Sequence, residues 1–271
     1  AMAESILDEG SEGATLRELV QALEDGTLPM DVEGLRSFLQ YVRAGAVVPL
    51  LKAVEAAENK NVRAVVEEAR KGLAGQYSGA LLDAMEADDP EVVAGACRLA
   101  GGIQLQEAGS HVASLMSHDS PDVRMAAVEA AATLRASGAA GALQEALNDT
   151  ERDVRIAAAR ALGLLRFSPA APSFRAIIES KGIRQADLSE QIAVFESYGR
   201  LEDPEGVPLL DGLLNARGFL GRKETGEIRA CAALALGKMK SPEAREALER
   251  AADDQEVVVR SAVNRALREE G

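Results

Sequence analysis

The chain has 271 residues, of which 47% are hydrophobic and only 3% aromatic, with no Trp. Its core must therefore be built from Ala, Leu, Val and Ile, which suits closely spaced helices better than a sheet, where β-branched and aromatic residues prevail. Thirty basic against 44 acidic side chains leave a net charge of −14, a field that repels phosphate backbones and anionic membranes and disfavours nucleic acid as a partner.

The first 12 residues, AMAESILDEGSE, are polar and acidic and read as a frayed tail. Ala1-Met2 reads as the scar of a cleaved tag, so the chain is expected to be a piece of something longer. The stretches TLRELVQALED and VEGLRSFLQYVRA predict two helices, the first opened by a capping box over Thr15-Leu16-Arg17-Glu18. Residues 13–45 are expected to form an atypical N-terminal cap.

From residue 46 to 269 the chain repeats itself. SPDVRMAAVEAAATL, from Ser120, is followed by ERDVRIAAARALGLL, from Glu151. The apolar anchors of such segments fall at Val62, Val92, Val123, Val154, Ile228 and Val259, with Glu190 aligned only through the GRL that starts at Gly199. The spacings are 30, 31, 31, 36, 38 and 31 residues, the period of a solenoid. After Val154, Ala158, Ala161, Leu162 and Leu165 follow one face of an α-helix.

Gly101, Gly163, Gly199 and Gly237 each stand nine residues past an anchor. Either a helix contact too tight for a side chain or a helix C-cap explains them, and tight contact is favoured. Asp89-Pro90-Glu91, Ser120-Pro121-Asp122, Asp203-Pro204-Glu205 and Ser241-Pro242-Glu243 read as N-cap, first-turn proline and acid. Second helices, such as GALLDAMEA from Gly79, AGALQEALN from Ala140 and EAREALERA from Glu243, alternate with the anchor helices. A single helix pair cannot bury its apolar face, but stacked pairs can.

Asp149 to Gly163 spells D-x-x-x-x-V-R-x-A-A-x-x-A-L-G. This pattern resembles HEAT repeats, particularly the short bacterial kind also found in phycobilin-lyase-like proteins. Thr225 to Met239 keeps most of it, departing at Lys223, Ile228 and Cys231. The resemblance implies an all-α fold, a right-handed α/α superhelix (a HEAT-like α-solenoid) of about seven to eight helix pairs. It also implies that Arg63, Arg124, Arg155, Arg229 and Arg260 tie adjacent repeats together through acidic partners. Similar arrays occur as appendages of multidomain bacterial signalling proteins. Residues 13–271 are expected to form one continuous solenoid.

No chemistry-bearing constellation emerges, and no cofactor is expected. His111 and His118 are two helical turns apart, about 10 Å, too far for one metal. No His is followed by Glu, unlike the metal-binding pairs of HEAT-like deoxyhypusine hydroxylases. GFLGRKET, from Gly218, lacks the Gly-Lys-Ser/Thr of a phosphate loop. Cys97 and Cys231 read as buried free thiols, which fits a reducing cytoplasm. No signal peptide and no apolar run long enough to span a bilayer is present.

The functional reading is therefore a non-enzymatic scaffold or regulatory module that binds another protein or another domain of its parent chain. The alternative is an enzyme or nucleic-acid module of the same fold, lyase-like or DNA-glycosylase-like. Two long units mark where such a scaffold departs from regularity, one including Ile178 to Ser189 and the other Asn215 to Glu227. The second gathers Arg217, Arg222 and Lys223 around Phe219 and Leu220, an apolar anchor ringed by cations that suits an acidic segment. The competing reading folds Phe219 back onto the last repeats. A second candidate is the row six residues past the anchors, Arg98, Glu129 and Arg160, whose alternating signs are expected to neutralise one another along the stack.

Overall fold

A computed structural model describes residues 10–28, 31–215 and 224–269. Among the described residues the regular structure is helical throughout, without a strand. The chain divides into two compact units, Ala1–Ala139 and Ala140–Gly271.

The first unit contains α1 (Gly13–Glu24), α2 (Val32–Leu39), α3 (Val47–Ala56), α4 (Lys60–Gln76), α5 (Ser78–Ala84), α6 (Pro90–Gly102), α7 (Gly109–Leu115) and α8 (Pro121–Leu134). The second contains α9 (Ala140–Glu145), α10 (Arg152–Leu165), α11 (Ala171–Glu179), α12 (Lys181–Gln185), α13 (Leu188–Arg200), α14 (Gly206–Asn215), α15 (Gly226–Met239), α16 (Pro242–Arg250) and α17 (Val257–Glu269). The division falls between repeats. The first unit holds α1 and α2 followed by three helix pairs, and the second holds four pairs with α12 inserted into one.

Every anchor is the third residue of its helix: Val62 in α4, Val92 in α6, Val123 in α8, Val154 in α10, Glu190 in α13, Ile228 in α15 and Val259 in α17. All seven are buried. The alignment made through Gly199 rather than through an apolar side chain thus has the same register as the rest. Asp89 and Ser241 cap their helices through side-chain oxygens that accept from the N–H of Glu91 and Ala244, with proline in the first turn. Ser120 precedes Pro121 but its side chain makes no cap bond.

Three local expectations are corrected. α1 starts at Gly13 with Glu12 as N-cap, so Thr15 lies inside the helix and no capping box forms there. α2 ends at Leu39, short of the apolar pattern that suggested a helix to Ala44. Asp203-Pro204-Glu205 forms a turn, and α14 begins only at Gly206, whose N–H donates to the Asp203 carbonyl. The Asp203 carboxylate accepts from the Glu205 N–H within that turn (3.3 Å) and also takes Arg175 of α11 and the Tyr198 hydroxyl of α13.

The recurring glycines mark helix contacts. A Cβ on Gly101 would lie 3.2 Å from the Cα of Ala130, one on Gly163 2.8 Å from the Cα of Ser197, and one on Gly237 3.0 Å from the Cα of Ala266. On Gly199 it would run into the backbone carbonyl of Ala235. The facing residues Ala130, Ser197, Ala235 and Ala266 all stand seven past the anchor of the next long helix. One rule, nine against seven, therefore sets how these neighbouring anchor helices meet.

Gly72 gives the contrast, because it lies in the interior of α4 with open space where its Cβ would be. Gly199→Ala is expected to lower stability by about 1–3 kcal/mol through overpacking. Gly72→Ala should raise it by about 0.5–1 kcal/mol, since alanine fits the helix better and meets nothing. Urea midpoints of the two variants check the pair, and equal shifts of the same sign would refute the packing rule.

Candidate interaction surfaces

The glycine contacts orient each anchor helix of the second unit. Successive residues turn by about 100° around a helix axis. In α13, α15 and α17 position seven faces the preceding anchor helix, and in α10, α13 and α15 position nine faces the following one. The arginine one past the anchor points toward the shorter helices, as its bonds show. Arg155 donates from Nη1 to the carbonyls of Asp149 (2.9 Å) and Thr150 (3.1 Å), just after α9. The face opposite the shorter helices then carries positions three, six and ten past the anchor. Arg160 and Leu164 of α10 are exposed there, Leu164 at 67%.

The row proposed from sequence behaves otherwise than expected. In the first unit Arg98 and Glu129 are exposed, and among the described residues neither joins an ion pair. Arg160 is exposed and likewise unpaired among the described residues.

The arginines after the anchors perform two tasks. Arg63 donates from Nε to the Ala57 carbonyl, and Arg124, Arg155 and Arg260 donate from Nη1 to those of His118, Asp149 and Asp254. Each carbonyl lies six residues upstream, so the guanidinium satisfies backbone acceptors in the turn before its own helix. Arg155 and Arg229 also make the link to an adjacent repeat that the resemblance implied. Arg155 meets Glu190 through Nε–Oε1 at 2.5 Å and Nη2–Oε2 at 3.0 Å. Arg229, 2% exposed, donates to the Leu214 carbonyl, to Asp254 and to Glu256.

The first long unit contains a false start. In α12, Lys-Gly-Ile-Arg-Gln imitates the opening of an anchor helix. Ile183 is buried, and Arg184 donates to the Ile178 carbonyl, again six residues upstream (3.1 Å). Continued in that register, the helix would place Asp187, Glu190 and Gln191 on its apolar stripe. The backbone instead becomes extended at Ala186, and α13 starts afresh behind an Asp187 cap. Glu190 then occupies the buried anchor position, neutralised by Arg155. Gln191 donates from Nε2 to the carbonyls of Ile183 and Ala186, 3.0 Å each.

The second long unit begins and ends in fixed contacts. Asn215 donates to the Ala247 carbonyl (2.9 Å) and to Asp211 (2.7 Å). Glu224 takes Arg184 in a forked pair, with Nη2–Oε1 at 2.7 Å and Nε–Oε2 at 3.2 Å. Thr225 caps α15 through its side chain. The two irregular segments are therefore joined by one ion pair. Arg217, Phe219, Leu220, Arg222 and Lys223 lie outside the described residues.

A feature that sequence reasoning missed is a row of left-handed residues. Gln104, Arg135, Arg166, Glu202 and Lys240 have φ between 49° and 58°, and each stands twelve past an anchor. The usual signal for such a helix end is glycine, which this chain does not use there. Arg166 and Glu202 are close enough to pair, Nη1–Oε1 3.2 Å.

Cys97 and Cys231 are buried free thiols, both pushed up to about 12 by burial. The Tyr198 phenol is raised first by burial and then by its bond to Asp203. Its ring stacks on Phe174 at 6.2 Å between centroids. His118 Nδ1 accepts from the Ser120 N–H (2.9 Å), and His111 lies 3.6 Å from Glu86. Among the described residues no three His, Cys, Asp or Glu side chains converge on a metal-sized site, and no helix is long and apolar enough to cross a membrane.

A family model described as HEAT repeats matches residues 78–163, 110–190 and 181–268. No curated protein matches the sequence. Three solved structures align with most of the chain at low identity. An engineered protein is 18% identical with a TM-score of 0.48, over 95% of this chain and 74% of that one. Human deoxyhypusine hydroxylase in complex with glycerol is 20% identical with a TM-score of 0.38, over 95% and 96%. The complex of CpcE and CpcF of phycocyanin lyase from Nostoc is 17% identical with a TM-score of 0.37, over 90% and 92%.

The buried thiols set a pH expectation. Both pKa values are raised above the unfolded 9.0 to about 12. The associated stability is therefore fully present below pH 9 and is lost as pH rises through 12. Urea midpoints should fall steadily above pH 9, and both thiols should resist Ellman's reagent at neutral pH until the chain unfolds. Rapid labelling of the native protein would refute the buried assignment.

Proposed function

The chain belongs to the HEAT-repeat family, and we propose that it is a non-enzymatic interaction module that binds another protein or another domain of its own parent chain. Its proposed place is as a regulatory part of a larger signalling protein. The observation that carries this reading is the bidentate pair Arg184–Glu224. It joins the two departures from an otherwise even repeat and fixes one end of the segment bearing Phe219. A repeat that only had to stack would need neither insertion, since its anchor helices already meet through the nine-against-seven contact.

On this reading Phe219 and Leu220 supply the apolar anchor, and Arg217, Arg222 and Lys223 supply attraction for an acidic partner segment. Charges at a rim act mainly on the rate of encounter, whereas a desolvated aromatic governs residence.

The test starts with affinity capture from cell extract and identification of the bound protein. Phe219→Ala should then weaken that partner by about 2 kcal/mol, chiefly through faster dissociation, with the far-UV circular dichroism unchanged. Arg222→Glu with Lys223→Glu should slow association and flatten its salt dependence. If Phe219→Ala instead lowers the melting temperature while the charge reversal alters no interaction, the loop serves packing alone and the site reading is wrong.

A further inference from the structure

We infer that the groove between α5 and α7 of the first unit docks a basic, arginine-bearing segment of a partner protein. The inference adds a second surface to the interaction-module reading and rests on it, while using neither the long loop nor a captured partner. The groove has a volume of about 290 Å³. Met85 and Glu86 line it from the end of α5, and Ser110, His111, Ser114 and Leu115 line it from α7. Met85 is buried and Leu115 half-buried, which gives the groove an apolar floor. Ser110 and Ser114 are exposed at its rim, and 73% of the Glu86 side chain is in solvent.

The occupant follows from charge. Between Lys71 and Arg124 the sequence holds eight acids and a single cation, Arg98. Those 52 residues carry −7, half of the net −14 of the chain. The stretches on either side are balanced. Val48 to Lys71 has four acids and five cations, and Arg124 to Arg166 has five acids and six cations. The acidity is therefore local to the two helix pairs that form the groove and is no demand of the repeat.

Part of this charge serves the fold. Asp89 caps α6 and pairs with Lys52 at 2.6 Å. Glu91 and Asp122 stand in first turns, where a carboxylate suits the helix dipole. Asp83, Glu86, Asp88, Glu107 and Asp119 remain, and among the described residues none of their carboxylates meets an Arg or Lys. Glu86 Oε1 lies 3.6 Å from His111 Nε2, beyond hydrogen-bond distance. Asp83 stands one turn before Glu86, and Glu107 one turn before His111, so both lie beside the groove. The last carbonyls of α5 add partial negative charge at the same end.

An Arg side chain matches these parts. Its apolar stem can lie on Met85 and Leu115 while the guanidinium meets Glu86. A divalent metal does not match, since among the described residues no three His, Cys, Asp or Glu side chains converge. A phosphate backbone is repelled. At physiological salt the Debye length is about 8 Å, so a docked guanidinium senses these acids more than the overall charge of the chain.

The probe is a short fluorescein-labelled peptide of Arg, Leu and Ser. Its controls are the same peptide with citrulline for Arg, which keeps the shape and removes the charge, and one with Glu for Arg. Binding to the intact chain is read by fluorescence anisotropy at low and physiological salt. The Arg peptide should bind best, and more weakly as salt rises. Asp83→Asn with Glu86→Gln should weaken it at least about fivefold. Ser114→Arg, which places a cation in the groove, should weaken it as much or more. Glu145→Gln with Glu151→Gln removes the same charge from exposed positions of the second unit and should change affinity less than about twofold.

Circular dichroism melts of these variants should stay close to the parent, because exposed side chains are changed. If Ser114→Arg unfolds, Asp83→Asn with Glu86→Gln decides by the same readout. Failure to bind the Arg peptide, equal binding of the citrulline peptide, equal weakening by the second-unit pair, or indifference to both groove variants would overturn the proposal. Such a failure leaves the interaction-module reading standing where Phe219→Ala still weakens the captured partner, because that test uses the other unit.

Discussion

Close approach of neighbouring anchor helices is the constraint on which the rest depends. Four times, a glycine nine past its anchor meets Ala or Ser seven past the next one, where an added Cβ would lie 3.2 Å or less from the facing backbone. A contact this short leaves no room to slide, because helix surfaces interlock and interiors tolerate little overpacking. It explains why the core can be made of Ala, Leu, Val and Ile with hardly an aromatic. It also explains why every anchor, even Glu190, occupies the third position of its helix. Once position nine is locked against position seven, the remaining positions around each helix have fixed roles. One side meets the preceding helix, one the following helix, one the shorter helices, and one is left for solvent or a partner.

The polar network follows from the same geometry. The arginine one past the anchor faces the turn from the shorter helix, where carbonyl groups would otherwise lack donors. It reaches the carbonyl six residues upstream in four anchor helices and again in the imitation helix α12. Arg155 and Arg229 add a bond to an acid of the next anchor helix or the turn before it. For Arg229 the acids are indispensable in a physical sense, since a guanidinium 2% exposed would be costly without them. Glu190 shows the reciprocal case. A carboxylate at a buried anchor position is tolerated because Arg155 is already pointing there.

Regularity and its interruption divide the labour of the chain. The even repeats are closed on three sides by packing. What varies between units is what they place on the free side and what they insert between helices. The first unit places glycine, threonine and alternating charges on the free side. The second places Arg160, Arg200, Lys238 and Arg265 there together with Glu196, Glu269 and two leucines, and it holds both long insertions, linked by Arg184 and Glu224. The family match accounts for the stack and is silent on these differences, which are where this chain is particular.

By itself the sequence determined the all-α repeat, the anchor register, the tight-contact glycines and the buried free thiols. These depend on a helical period of 3.6 residues and on side-chain size, which are local properties repeated often enough to be read. The tertiary structure decided what hinges on a partner far along the chain. Asp203 looked like a helix cap, and one carboxylate oxygen does accept from the Glu205 N–H, but the other takes Arg175, 28 residues away. Ile183-Arg184 looked like part of an insertion, yet it copies an anchor turn and reaches Glu224, 40 residues away. The left-handed helix ends left no trace, because Gln, Arg, Glu and Lys occupy positions where glycine would have announced them. Of the candidate sites, position six past the anchor was legible as a face. Whether Arg98 and Glu129 would pair was not, because spacing along a helix fixes direction, whereas distance between charged ends depends on how neighbouring helices pack and how long side chains lie.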